Sequence, residues 1–385
     1  KTGALDLGPV TTRRARFADA VSVYDELMRA GNGDVGVVLE YGGAATPADS
    51  VQLSASSAPK EHPPAAVSKP VDSLHVIGAG NFARTMLLPH LKGNIVLGTI
   101  VNATGLSARH VKEKFGFAEA ETDAAAVWKQ NGTSAVMIGT RHHLHAPLVL
   151  KGLQAGKHVF VEKPLCLTPE ELREIDDAMA ATKGSVMVGF NRRFAPAALA
   201  LKEAMATVPG PKTLAYHVFA GPLAPDHWYA NLEESGGRVL GEACHFLDLA
   251  CFLLGSAPVQ VTAQTVGRPL FPDSVTAQIA FADGSSAQII YSADGDFSFP
   301  KETFRVFGSG MVAECENFQT LTLYHKRNRS VKKFSGKGHA EEMAAWLAFL
   351  KGAAPHPLPF AAARQSMGLS FATLASIREG CSVKL

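Results

Sequence analysis

Residues able to do chemistry gather in a few stretches of this sequence. The first is VIGAGNFA, which sets Gly78, Gly80 and Ala83 between an apolar run and a helical one. Gly78 permits a tight turn, Gly80 lets a backbone approach a pyrophosphate, and Ala83 allows close helix–strand packing. Asn81 and Phe82 open the helix, whose free N–H groups favour phosphate. This pattern, in strand–turn–helix context, predicts a dinucleotide site. In the second stretch, IVNATGLSARH, the place of a ribose-binding carboxylate falls at Asn102, with no acid nearby. Ser107 and Arg109 come next and suit a 2′-phosphate, which tilts the expectation from NAD towards NADP. Arg109 as a solvated helix residue is the equal alternative. The third stretch, VFVEKP, puts Glu162 and Lys163 at the tip of an apolar strand, before Pro164. Two readings stand open: a solvated lysine at a strand end, or a lysine aimed into a cleft. Further on, Glu242, His245 and Asp248 recur at three-residue steps and can share one helical face. They form no convincing ligand set, so no metal is expected.

The elements that must position these residues follow from periodicity. From Val71 to Phe190 short apolar strands alternate with amphipathic helices: LHVIGAG, NIVLGTIVN, SAVMIGT, KHVFVEK and SVMVGF are strands. NFARTMLLPHLKG, SARHVKEKFG and HAPLVLKGLQAG are helices. A further helix opens with Thr168 at its N-cap, Pro169 at N1 and Glu171 at N3, a capping box. Such repeated strand–helix units imply a parallel sheet with right-handed crossovers. After residue 190 the chain reads as helices followed by longer strands, including a hairpin in which Val275, Ala277, Ile279 and Phe281 alternate before an Asp283–Gly284 turn. The fold class expected is α/β: a dinucleotide-binding domain over 71–190 and an α+β domain with a large, mainly antiparallel sheet over 191–385. The alternating hairpin is expected to expose one apolar face and so to build a homo-oligomer.

VIGAGNFA, GKHVFVEKPL, VGFNRRFAP, GEACHFLD and FGSGMVAECENF together resemble the glucose–fructose oxidoreductase/inositol dehydrogenase/MocA family, over about residues 71–385. The resemblance implies a nicotinamide-binding Rossmann domain, a second α/β domain, and a polyol, sugar or cyclitol substrate. It places Lys163 between nicotinamide and substrate, followed by a proline that is often cis, and makes Lys163 and His245 the catalytic pair. The family's usual Asp four residues before that His is Gly241 here, with Glu242 beside it as the substitute expected to orient or charge-balance His245. Lys163 beside a nicotinamide is expected to have a lowered pKa. Thr140 and His145 in GTRHHLHAP, with Glu162, are expected around the cofactor, His145 as a cap on the cleft. Arg193, His227 and Trp228 are expected as polar and stacking contacts to the polyol. The departure at Gly241 motivates a rival, a non-catalytic dinucleotide-dependent regulator of the same fold. A second rival is a glycosidase using held NAD for transient oxidation.

Composition narrows the remaining classes. The 385 residues suggest two or three units. A net charge of +2 gives no basic field for nucleic acid. No apolar stretch is long enough for a bilayer span, and no signal peptide opens the chain. Five cysteines without a CxxC pair read as reduced thiols of a cytoplasmic protein. Residues 1–43 resemble the carboxyl end of a medium-chain alcohol dehydrogenase, which implies a bifunctional parent. Phe17, Ala20, Val21, Tyr24, Leu27 and Met28 would share a helical face there, ahead of a strand at Val35–Tyr41. An Ala/Ser/Pro-rich linker is expected over 44–70.

Overall fold

A computed structural model of the chain describes residues 8–29, 31–40, 50–52, 67, 69–129, 134–224, 226–267 and 273–385. The chain divides between Val51 and Gln52 into two compact units. The division falls inside the stretch expected as a linker, most of which lies outside the described residues.

In the first unit Arg13–Arg16 and Val37–Glu40 pair in parallel. Tyr41, the end of the expected strand, lies outside the described residues. The helix Ala20–Leu27 buries only Val23. Of the apolar face expected from periodicity, Phe17, Val21, Tyr24 and Met28 are exposed. One buried residue is too little apolar contact to fix so short a helix by burial.

The second unit opens with six parallel strands: β1 (Ser73–Ile77), β2 (Leu97–Val101), β3 (Glu119–Glu121), β4 (Ser134–Ile138), β5 (His158–Val161) and β6 (Ser185–Val188). They lie in the order β3-β2-β1-β4-β5-β6, which reverses direction between β1 and β4. Ligands of such sheets bind outside the carboxyl ends of the strands at that reversal. β4, β5 and β6 are buried along their whole length, as strands covered on both faces must be. The helix after β1 is not regular. Pro89 cannot donate to the ladder, and the preceding turn widens into a π-helical stretch over Ala83–Leu87. Helices α1 (Gly105–Phe115), α2 (His145–Gln154) and α3 (Pro169–Ala181) come next, and the Thr168–Glu171 capping box closes the start of α3.

The second sheet contains β7 (Thr213–Phe219), β8 (Pro258–Thr265), β9 (Val275–Phe281), β10 (Ser286–Ser292), β11 (Glu302–Gly308), β12 (Met311–Glu316), β13 (Thr320–His325), β14 (Asn328–Lys333) and β15 (Ser382–Lys384). Its order is β14-β13-β12-β11-β7-β10-β9-β8-β15. Only the β7–β10 pairing is parallel among these. The hairpin alternation does not expose an apolar face. Val275, Ala277, Ile279, Phe281, Ala287, Ile289 and Tyr291 are buried in the domain's own core, with Phe246 and Leu249 of helix α4 (Cys244–Leu254).

Two carboxyl-terminal helices, α5 (His339–Leu350) and α6 (Phe360–Glu379), bind the two sheets together. Trp346 of α5 packs on Phe160 of β5, and Met343, Phe349 and Met367 belong to the core around the parallel sheet. The far half of α6 (Leu369, Ala372, Ile377) belongs to the other core. The chain thus returns to complete its first domain, an excursion that local periodicity does not reveal.

Candidate active site

A cavity of about 610 Å³ opens where the carboxyl ends of β1, β4, β5 and β6 meet the second domain. Gly80, Phe82 and Ala83 form one wall. Gly78 has φ +85°, and a Cβ there would come within 2.8 Å of the Gly139 carbonyl, so the turn requires glycine. Gly80 differs: a Cβ there would meet nothing within 4 Å. The backbone at Gly80 faces open space beside a helix start, which is what a pyrophosphate needs. These residues fit a dinucleotide.

Asn102 does not stand free for a ribose. It is buried, its Oδ1 accepts from the Ala79 N–H at 2.7 Å, and its Nδ2 donates to Ser107 Oγ at 3.0 Å. Asn102 therefore braces the glycine turn, and Ser107 braces Asn102. Arg109 is exposed on α1 and does not line the cavity. Asn81 is also exposed, while the Phe82 ring meets His339 edge-on at 5.5 Å.

Thr140 and His145 lie just after β4. His145 is fully buried, with Nδ1 2.7 Å from the Pro164 carbonyl and Nε2 3.2 Å from that of Thr140. It lines the cavity and also tethers the Lys163–Pro164 turn, whose peptide is cis. Burial pushes its pKa down to about 4, so the ring is neutral. His142, not anticipated from sequence, also lines the cavity; burial and the Lys163 charge push it down to about 2.

Lys163 Nζ donates to the Gly241 carbonyl at 2.6 Å. Burial works to lower its pKa, but Tyr229, Cys244 and the carboxylates of Glu162 and Glu242 outweigh it, and the value is raised. The expectation of a lowered value is reversed for the chain's own surroundings: nearby acceptors and anions favour the ammonium. Glu162, beside it, is pushed up to about 7 by burial, against the pull of Lys163.

That shift has a sign in stability. The folded value of about 7 exceeds the ordinary 4.5, so the native state holds more protons between them. The contribution of Glu162 is fully present below pH 4.5 and is lost as pH rises through 7, a change on the order of 3 kcal/mol. Glu342 on α5, with neither carboxyl oxygen partnered among the described residues, is raised too and acts in the same direction. Glu162→Gln should flatten the fall in unfolding free energy between those two pH values, read by urea titration. An unchanged pH slope in that variant would remove Glu162 as its source.

The helical stretch carrying Glu242 and His245 begins with a π-helical turn, Val239–Ala243, and continues as α4. Both residues line the cavity. His245 is buried; its Nδ1 has no partner among the described residues, and burial with the charges of Arg192 and Lys163 holds it well below its ordinary pKa. Glu242 does not reach His245. Its Oε2 accepts from the Tyr291 hydroxyl at 2.6 Å and from Arg238 at 3.3 Å. Asp248, unlike Glu242, does not line the cavity: it pairs with Arg193 at 2.5 and 2.9 Å and accepts from Ser366 at 2.8 Å. Arg193 is thus a core residue, and its neighbour Arg192 lines the cavity instead. Arg192 and Lys337 share Glu302, whose pKa stays at about 2 because, although burial raises it, the two cations outweigh that cost. Trp228 lines the cavity with the Arg141 guanidinium over its ring at 4.4 Å. His227 does not line it; the ring accepts from the Tyr229 N–H and stacks on Tyr229 at 5.3 Å. Among the described residues no cluster of His, Cys, Asp and Glu could hold a metal ion.

Comparison with known proteins gives this geometry a family. Residues 73–190 match the profile described as an oxidoreductase family with an NAD-binding Rossmann fold. Residues 212–314 match the GFO/IDH/MocA C-terminal domain. An inositol 2-dehydrogenase of Rhizobium meliloti (strain 1021) is 32% identical over 197 residues, 49% of this chain and 59% of that protein. A myo-inositol 2-dehydrogenase of Thermotoga maritima is 26% identical over 333 residues, 80% of this chain and 97% of that protein. The solved structure of a levoglucosan dehydrogenase in complex with NADH superposes with a TM-score of 0.70 at 21% identity, covering 81% of this chain and 98% of that one, and shares the fold. Both domains that enclose the cavity match one family, and the chain belongs to the Gfo/Idh/MocA oxidoreductases.

Proposed function

We propose that this chain is an NAD(P)-dependent oxidoreductase that acts on a hydroxyl or keto carbon of a sugar, cyclitol or sugar nucleotide. The observation that carries this reading is the placement of Lys163 and His245 in one cavity with the open glycine turn. Gly78, Gly80 and the helix start at Asn81 would hold the cofactor phosphates, with Phe82, Thr140 and Glu162 along its path. When bound, the nicotinamide supplies the hydride acceptor or donor. Lys163 holds the reacting oxygen as an ammonium and stabilises negative charge there. His245, which lines the cavity and is kept neutral by burial, takes that oxygen's proton. Arg192, Trp228 and Lys337 give polar and stacking surface for a polyol.

The test is a panel of inositols, sugars and sugar nucleotides with NAD and NADP, read by absorbance of the reduced cofactor, with ligand binding read as a rise in melting temperature. Turnover of a polyol that Gly80→Val removes together with cofactor affinity is the expected result. Release of a free sugar without net cofactor reduction would favour a glycosidase, and cofactor binding without any turnover a regulator. Two finer points belong to the same proposal. Residues 1–43 are the end of an alcohol-dehydrogenase-like module. The chain works in the cytoplasm as a homo-oligomer, a reading supported by five free cysteines and by Phe307, Tyr324 and Val331, which stand exposed on the second sheet; sedimentation of the purified protein checks the oligomer.

A further inference from the structure

Two hydrogen-bond donors that line the cavity converge on one buried backbone atom. Lys163 Nζ reaches the Gly241 carbonyl at 2.6 Å, and the Tyr229 hydroxyl donates to the same oxygen at 3.1 Å. Both side chains line the cavity. Tyr229 is 8% exposed, and its ring is fixed by His142 edge-on at 5.4 Å and by Trp228 at 4.5 Å. Position 241 explains how an aromatic ring fits there. A Cβ on residue 241 would stand 2.3 Å from Tyr229 Cε1 and 2.9 Å from its hydroxyl. Gly241 has no positive φ, so glycine serves here for volume and not for backbone freedom. The space that a side chain at 241 would take is filled from the 3₁₀ turn Trp228–Ala230. Burial raises the phenol's pKa and the Lys163 charge only partly offsets it, so the hydroxyl keeps its proton at neutral pH. A group that keeps its proton there is a donor.

We propose that Tyr229 is a catalytic residue whose hydroxyl turns from the Gly241 carbonyl to the reacting oxygen of the substrate and donates, beside the Lys163 ammonium, the second hydrogen bond to the charge that develops on it. This rests on the polyol oxidoreductase reading above. Tyr229 gives up no proton and accepts none; its effect is electrostatic, by a donor whose ring is already seated in the cavity when the charge appears.

Tyr229→Phe keeps the ring over Gly241 and removes only the hydroxyl. It should lower kcat by roughly 10²–10³-fold, the scale for loss of one such donor, while KM and NADH affinity stay within roughly 3-fold. A residue that only packs would leave kcat unchanged in this variant. The premise about volume is tested on the protein without cofactor. Gly241→Ala should lower the melting temperature of the parent and lower it less in a Tyr229→Ala background. Parental kcat in Tyr229→Phe overturns the proposal, and so does a Gly241→Ala loss that Tyr229→Ala does not relieve. A parent that binds NADH yet oxidises no polyol would instead end the reading on which the proposal rests.

Discussion

Lys163→Met should leave cofactor affinity nearly intact and cut polyol turnover by roughly 10²–10⁴-fold, the range for one acid–base or charge-stabilising group. The methionine conserves the length and apolar stem of lysine, so the cis turn and the packing of Val161 and Leu165 are not disturbed. The ammonium alone disappears. Lys163 lies with its charge favoured by its surroundings and its Nζ held by a backbone carbonyl. That makes it a cationic donor to the substrate oxygen rather than a base, with His245 left to take the proton. The pH profile checks the division. In the oxidation direction the rate should rise as the His245 proton is lost, so its acidic limb should survive in a residual Lys163→Met activity and vanish in His245→Ala. Parental turnover in Lys163→Met would reduce Lys163 to a strand-end lysine.

Much of this was legible because some residues have one physical use. Gly78 must be glycine at a φ of +85°, and its spacing to Gly80 and Ala83 announces the turn. The apolar run Val159–Val161 must be a covered strand, so Glu162 and Lys163 stand at the sheet's carboxyl edge. The losses have equally physical causes. Arg192 and Arg193 are adjacent in a 3₁₀ turn, where no periodicity says which one faces the cavity. The difference is made by Asp248 and Glu302, distant in sequence and brought close by folding. Asn102 carried no sign that it braces a turn 23 residues away. β3 is the polar sequence EAE, without an apolar signal, and pairs only at the sheet's edge. Tyr229 is the most instructive omission. A glycine where the resemblance leads one to expect an acid reads as a loss in sequence. In space it is room for another residue, and only packing shows which residue takes it.

Asp248→Ala should cost about 3–5 kcal/mol of stability, the usual result of removing one partner from a buried ion pair. Asp248 is 0% exposed on α4 and Arg193 8% exposed on the turn after β6. Their two hydrogen bonds join those elements, and Ser366 adds a third from α6. The pair therefore sits where the parallel sheet, the site helix and the carboxyl-terminal helix meet. Without Asp248 the guanidinium stays buried with no counter-charge, and the desolvation cost it already bears is no longer offset. Removing both charges, as in Arg193→Met with Asp248→Leu, leaves no orphan and should recover most of the loss. The substrate affinity of any Asp248→Ala protein that folds should be near parental, because neither residue lines the cavity. Equilibrium denaturation of the three variants decides the stability claim, and KM decides the other. If Asp248→Ala unfolds within about 1 kcal/mol of the parent, the range of an exposed pair, while raising KM strongly, then Arg193 belongs to the substrate after all.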